Sequence, residues 1–140
     1  MRLSFAALPA WIALVTVLRA SVPGTWWRPL DLPFEILCHR RPERVPSLAG
    51  VPLPLCSRCL GLWVGLSIGA CLGWPDIPIP RLRWVLLVAV ALMLAEILSQ
   101  DLHLHPIFHP TRLLSGLLVA MPIGGAIGGL ARRELGATSA

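Results

Sequence analysis

Between Leu55 and Trp74 the chain reads LCSRCLGLWVGLSIGACLGW, an apolar run in which glycine recurs at Gly61, Gly65, Gly69 and Gly73. Residues four apart share one face of a helix, so these glycines form a strip with no side chains. Such a strip lets a second helix bring its backbone close, the packing mode of helices in lipid, where burial of apolar surface drives no association. A later run, Leu113 to Ala131, carries a second strip at Gly116, Ala120, Gly124 and Gly128. The strips are expected to meet each other or the remaining helices of a bundle, or to join copies of the chain in a homo-oligomer.

Composition agrees with a membrane setting. The 140 residues are 56% hydrophobic and 14% charged, with a mean hydropathy of +0.74, which is too apolar for a soluble domain. The net charge is +5. The arginines nevertheless sit at the ends of apolar runs and in one loop, without a basic face or aromatic platform, so no nucleic-acid partner is expected. All twelve basic residues are arginine. That bias fits high-GC coding in a bacterium, and makes its inner membrane the expected location and the lipid bilayer the expected partner.

Four apolar runs specify an all-α fold, an integral membrane bundle of four transmembrane helices at about residues 3–19, 57–74, 84–100 and 112–131, in one domain over 1–140. Each run is near the lower limit of the roughly 17–25 residues that a spanning helix needs. The first resembles a signal peptide in charge pattern, but Arg19 and the lack of a small-x-small cleavage site favour a retained helix. The loop from 20 to 56 holds seven of the fourteen prolines. Proline lacks an amide donor and disfavours helix before it, so this loop is expected to be irregular and to cap one face of the bundle. Within it, Trp26, Trp27, Leu30, Leu32, Phe34, Ile36 and Leu37 suit a short amphipathic piece in the membrane interface. Five arginines fall on the side of the termini and seven on the other, which does not set orientation. Two crossings separate the first and third loops, so those loops share one membrane face.

That face gathers the reactive residues. The first loop supplies Cys38, His39, Arg44, Cys56, Arg58 and Cys59, and the third, QDLHLHPIFHPTR, supplies Asp101, His103, His105, His109 and Arg112. Glu96 and Gln100 lie four apart near the end of the third helix and so face the same way. An acid below the membrane surface and arginines at neighbouring helix ends are more stable paired inside a bundle than alone in lipid. Arg44, Arg58, Glu96, Gln100, His109 and Arg112 are therefore expected to line a polar pocket.

The pattern Cys38-His39-x-x-Pro42-x-Arg44, followed by Cys56-x-Arg58-Cys59-x-Gly61, resembles an uncharacterised bacterial family of small multi-pass membrane proteins, domain of unknown function 2085. The likeness runs from about Leu37 to Gly116. In that family an intramembrane acid and a glutamine follow on the third helix, then an Asn-x-x-Arg and a Thr-Gly or similar pair. Glu96 stands where the acid is usually Asp, and Gln100 matches the glutamine. Arg112 with Ser115-Gly116 resembles the later motif, His109 stands in place of the Asn, and the three loop histidines depart from the pattern. The resemblance implies a membrane location and no particular activity.

Three chemistries suit these residues. Cys38, His39, Cys56 and Cys59 make a ligand set for tetrahedral zinc, with a histidine of the third loop as an alternative to His39, whose side chain diverges from that of its neighbour Cys38. Cys56 and Cys59 alone, a Cys-x-x-Cys at a helix N-terminus beside Arg58, suit a membrane thiol-disulfide oxidoreductase. Cys71 cannot serve as its relay, since twelve helical residues place it about 18 Å away. Arg44, Arg58 and Arg112 with Glu96 suit binding or transport of an anion or lipid headgroup.

Overall fold

The computed structural model describes residues 2–22, 24–26, 28–72 and 78–137, with backbone alone for 2–6, 8 and 134–137. Among them five α-helices form: α1 (Arg2–Ser21), α2 (Arg28–Leu37), α3 (Ser57–Leu72), α4 (Ile79–Asp101) and α5 (His109–Ala137). Between α2 and α3 lie a single 3-10 turn, Pro42–Arg44, and a minimal hairpin in which β1 (Ser47–Leu48) pairs antiparallel with β2 (Val51–Pro52). Ala49 and Gly50 close that hairpin, both in the left-handed region with φ of 51° and 80°.

The glycine strips explain the central pairing. A Cβ added at Gly65 would stand 2.8 Å from the Leu117 carbonyl oxygen and 2.9 Å from the Leu117 Cα, so α3 and α5 touch backbone to backbone. Gly61 faces Leu113 and Gly69 faces Met121, while from the other side Gly116 faces Arg58, Gly124 faces Leu66 and Gly128 faces Ala70. Ala120 is buried within the same seam. Partner numbers rise together, so the two helices run parallel and begin at the same end of the molecule. Gly73 and Trp74 lie outside the described residues. The other helices are added to this pair, α1 against α3 and α4 against α5.

Among the described residues two helices are long and apolar enough to cross a membrane, Ile79–Asp101 with mean hydropathy 2.1 and His109–Arg133 with 1.8. Only 6% of the apolar window of α4 is buried. Trp84, Val88, Leu92 and Leu98 all turn outward, each more than half exposed, as on a helix whose surroundings are hydrocarbon rather than water. The expected four full-length spans are not supported: among the described residues two helices reach that length, while the described part of α3, 16 residues, covers about 24 Å.

Helix ends also differ from expectation. Both α4 and α5 start several residues early because Pro80 and Pro110 fall in their first turns, where no amide donor is needed. The proline-rich loop is more ordered than its composition implies. Pro29 takes a first-turn position in α2, and Pro33 is tolerated inside it. Phe34, 2% exposed, packs with Ile12, Val15, Cys38 and Leu55 in a small core under the loop. Asp31, 3% exposed, pairs with both Arg19 and Arg40. Arg40 Nε also donates to the Pro54 carbonyl at 3.0 Å, and Trp11 Nε1 to the Leu30 carbonyl at 3.1 Å, tying α2 to α1 and to the strand that leads into α3. Trp26, Leu32, Ile36 and Leu37 remain exposed on the outer surface of this cap.

Candidate metal centre

Cys38 continues the last turn of α2, its amide donating to the Phe34 carbonyl at 3.0 Å, and its side chain is buried in the small core. Cys56 immediately precedes α3 and Cys59 lies in the first turn. Folding of the cap over α3 brings the three sulfurs within 4.8 Å of one another. Thiolates around a tetrahedral zinc, with Zn–S near 2.3 Å, stand about 3.8 Å apart, so a small rotation of side chains would complete such a site. The Cys56 amide donates to the Cys38 sulfur at 3.4 Å. Cys56 itself is pushed down to about 5, chiefly by the Cys59 thiol donating to its sulfur, with the first-turn amides and the Cys38 thiol adding to the effect and burial opposing it. The start of α3 therefore stabilises a thiolate, as helix N-termini do.

The expected fourth ligand, His39, is exposed and stands outside the sulfur cluster. Consecutive side chains diverge, and Cys38 takes the inward direction. His103 is exposed with a φ of 55°, and His105 bonds the Ser99 hydroxyl at 2.8 Å and the Pro106 carbonyl at 3.0 Å. His109 comes to the start of α3, its Nδ1 lying 3.2 Å from the Ser57 hydroxyl, between Cys56 and Arg58 in sequence. Cys71 is twelve residues further along α3 than Cys59, about 18 Å.

Beside the thiols lies a carboxylate hub. Glu96 Oε2 accepts from Arg58 Nη2 at 3.1 Å and from the Ser115 hydroxyl at 2.7 Å, while Oε1 accepts from Gln100 Nε2 at 2.9 Å and the Thr111 hydroxyl at 3.2 Å. Thus α3, α4 and α5 are joined through one acid, which is buried with Arg58 at 12% and 15% side-chain exposure. Gln100 reaches it because four residues make one helical turn. Arg44 lies 3.7 Å from Asp101, so the first loop and the end of α4 meet at the same mouth. Arg112 is 2% exposed. Ser57 and Thr111 belong to this network, and neither stood out in the sequence. For Asp31, Arg19 and Arg40 the available signal was modest: Asp31 and Glu35 lie four apart on the amphipathic decapeptide after Arg28, facing a cavity of about 670 Å³.

A family model described as a predicted membrane protein, DUF2085, matches residues 38–125, from the first thiol through most of α5. The chain belongs to this family. DUF2085 membership and the outward apolar surface of α4 together place it in a lipid bilayer. An uncharacterized protein of Methanocaldococcus jannaschii is 25% identical over 96 residues, covering 64% of this chain and 60% of that protein. A second uncharacterized protein, from Methanothermobacter thermautotrophicus, is 50% identical over 32 residues, 23% of this chain and 29% of the relative. The chain therefore spans less than two thirds of the length of either relative. Both are archaeal, so the likeness is not confined to bacteria. No solved structure matches.

Proposed function

We propose that this chain is an integral membrane protein of a single domain that holds one zinc ion on Cys38, Cys56 and Cys59, at the membrane face where α3 and α5 begin. The observation that carries the reading is the convergence of three sulfurs, from two segments 18 residues apart, within 4.8 Å. Thiolate donors select zinc among the common divalent ions, and the Cys56 environment already favours the deprotonated form that a metal needs. Three protein ligands leave a fourth position open, the arrangement of reactive rather than purely structural zinc sites. His109 is better placed than His39 to serve that position or to hold a water there, since it already contacts Ser57.

In this reading all four long helices are embedded. The α3 helix lies parallel on α5 and shares its depth, α1 packs on α3, and α2 rides in the interface with Trp26 and Ile36 outward. The strips on α3 and α5 face each other within the chain, so a homo-oligomer would form through the outer surface of α4. The arginine-only basic set suits a bacterial inner membrane.

The second reading is redox. Cys59 donates to a Cys56 thiolate at the start of a helix, the arrangement of an attacking thiol and its partner. Metal content and free-thiol count of protein purified without chelator, for wild type, Cys38→Ser and Cys56→Ser, separate the two. One zinc per chain, lost in both variants, is the expected result. Metal-free wild type with a reducible Cys56 to Cys59 disulfide overturns the zinc reading in favour of the redox one.

A further inference from the structure

We propose that Arg44, Arg58 and Arg112 form a binding site for a phosphate-class oxyanion beside the thiols. Arg112 is 2% exposed, and its Nη1 is buried without a hydrogen-bond partner among the described residues. The same holds for the Nε atoms of Arg44 and Arg58. Three guanidinium groups thus each hide one unused donor, and the charges acting on Arg112 are those of Arg58, Arg44, Glu96 and Cys56.

Glu96 cannot supply the missing acceptor. A carboxylate offers about four lone-pair sites, and those of Glu96 are already taken by Arg58, Ser115, Gln100 and Thr111. Asp101 lies 3.7 Å from Arg44 but is 62% exposed and faces water. A buried guanidinium donor without an acceptor is unfavourable, and a further anion would satisfy it. The backbone adds to the demand. Arg58 lies in the first turn of α3, whose N-terminus adds positive potential beside its guanidinium. Unused donors on three guanidinium groups suit an anion with several oxygens, and guanidinium forks match phosphate oxygens in geometry. At the mouth of a membrane bundle that phosphate comes from a lipid headgroup or from solution.

The test uses the full chain purified in phosphate-free detergent buffer, titrated with inorganic phosphate by calorimetry. In parallel it is reconstituted in nanodiscs of phosphatidylglycerol or phosphatidylcholine and released for native mass spectrometry. Expected is either saturable phosphate binding or one retained phosphatidylglycerol per chain, weakened about tenfold or more in Arg112→Gln and Arg44→Gln. Arg44 is partly exposed, so Arg44→Gln keeps the test decisive should the buried Arg112 variant fail to fold. Phosphate that displaces the lipid identifies a free anion, and lipid retained against excess phosphate identifies a headgroup. Wild type that binds neither, or binding undiminished in folded Arg44→Gln and Arg112→Gln, overturns the proposal. The readout is anion binding, so its failure is distinguishable from a failure of the zinc reading.

Discussion

Replacing Gly65 by alanine tests the α3–α5 contact with one methyl group. On an isolated helix the change is favourable by about 1 kcal/mol, because glycine is the poorer helix former. Here the new Cβ would lie 2.8 Å from the Leu117 carbonyl oxygen, against ordinary contact from 3.4 Å upward, so the backbones must part by about 0.6 Å. A gap of that size along a packed seam forfeits roughly a quarter to a half of each dispersion contact, and overpacking of a tight site typically costs about 1–3 kcal/mol. Set against the propensity gain, the net expectation is a loss of up to about 2 kcal/mol, larger for Gly65→Leu. Leu72→Ala is the control, since Leu72 is 64% exposed and its change should stay within about 0.5 kcal/mol. Stability is read as the unfolding midpoint in a mixed-micelle denaturant titration followed by circular dichroism. Gly65→Ala more stable than wild type by about 1 kcal/mol refutes the reasoning, because helix propensity would then act unopposed.

Other outcomes follow from the site. In metal-stripped protein Cys56 should react with iodoacetamide well below the ordinary thiol value of 9.0, its rate falling only as pH drops through about 5. The sign for stability is that of any depressed acid: the thiolate contribution is complete above about 9 and is lost as pH falls through about 5. Alkylation that rises only near pH 9 would show that the cluster does not activate Cys56. Glu96→Gln keeps the shape of the hub but leaves Arg58 buried without a counter-charge, which should cost about 3 kcal/mol in the same titration; a change near zero would mean the hub is solvated. Single cysteines at Ser47 and Ile107, in a chain lacking the native ones, should be labelled by an impermeant thiol reagent from the same side, and labelling from opposite sides would break the shared mouth formed by Arg44 and Asp101.

The glycine spacing was legible because it acts locally: a four-residue repeat fixes which residues share a helix face, whatever lies opposite. Apolar length likewise made α4 and α5 readable as membrane helices. The segments holding Cys56 and His109 come together because α3 and α5 run parallel and begin at the same end of the molecule. The amphipathic piece expected inside the first loop forms as α2. A missing amide donor costs nothing in a first turn, so Pro80 and Pro110 start α4 and α5 ahead of their apolar runs.

What tertiary structure alone decided was partnership. Neighbouring Cys38 and His39 must diverge, but only packing decides which turns inward: Cys38 sits in the core beside Phe34 and Leu55 while His39 is at the surface. Nothing local marks Ser57 or Thr111 as members of the site, because their roles exist only once α3, α4 and α5 place them around His109 and Glu96. Sequence placed Arg112 among the pocket residues without fixing how deeply it lies. Its burial, and the saturation of Glu96 by other donors, are properties of how many groups compete for one carboxylate in space, which spacing along a chain does not encode.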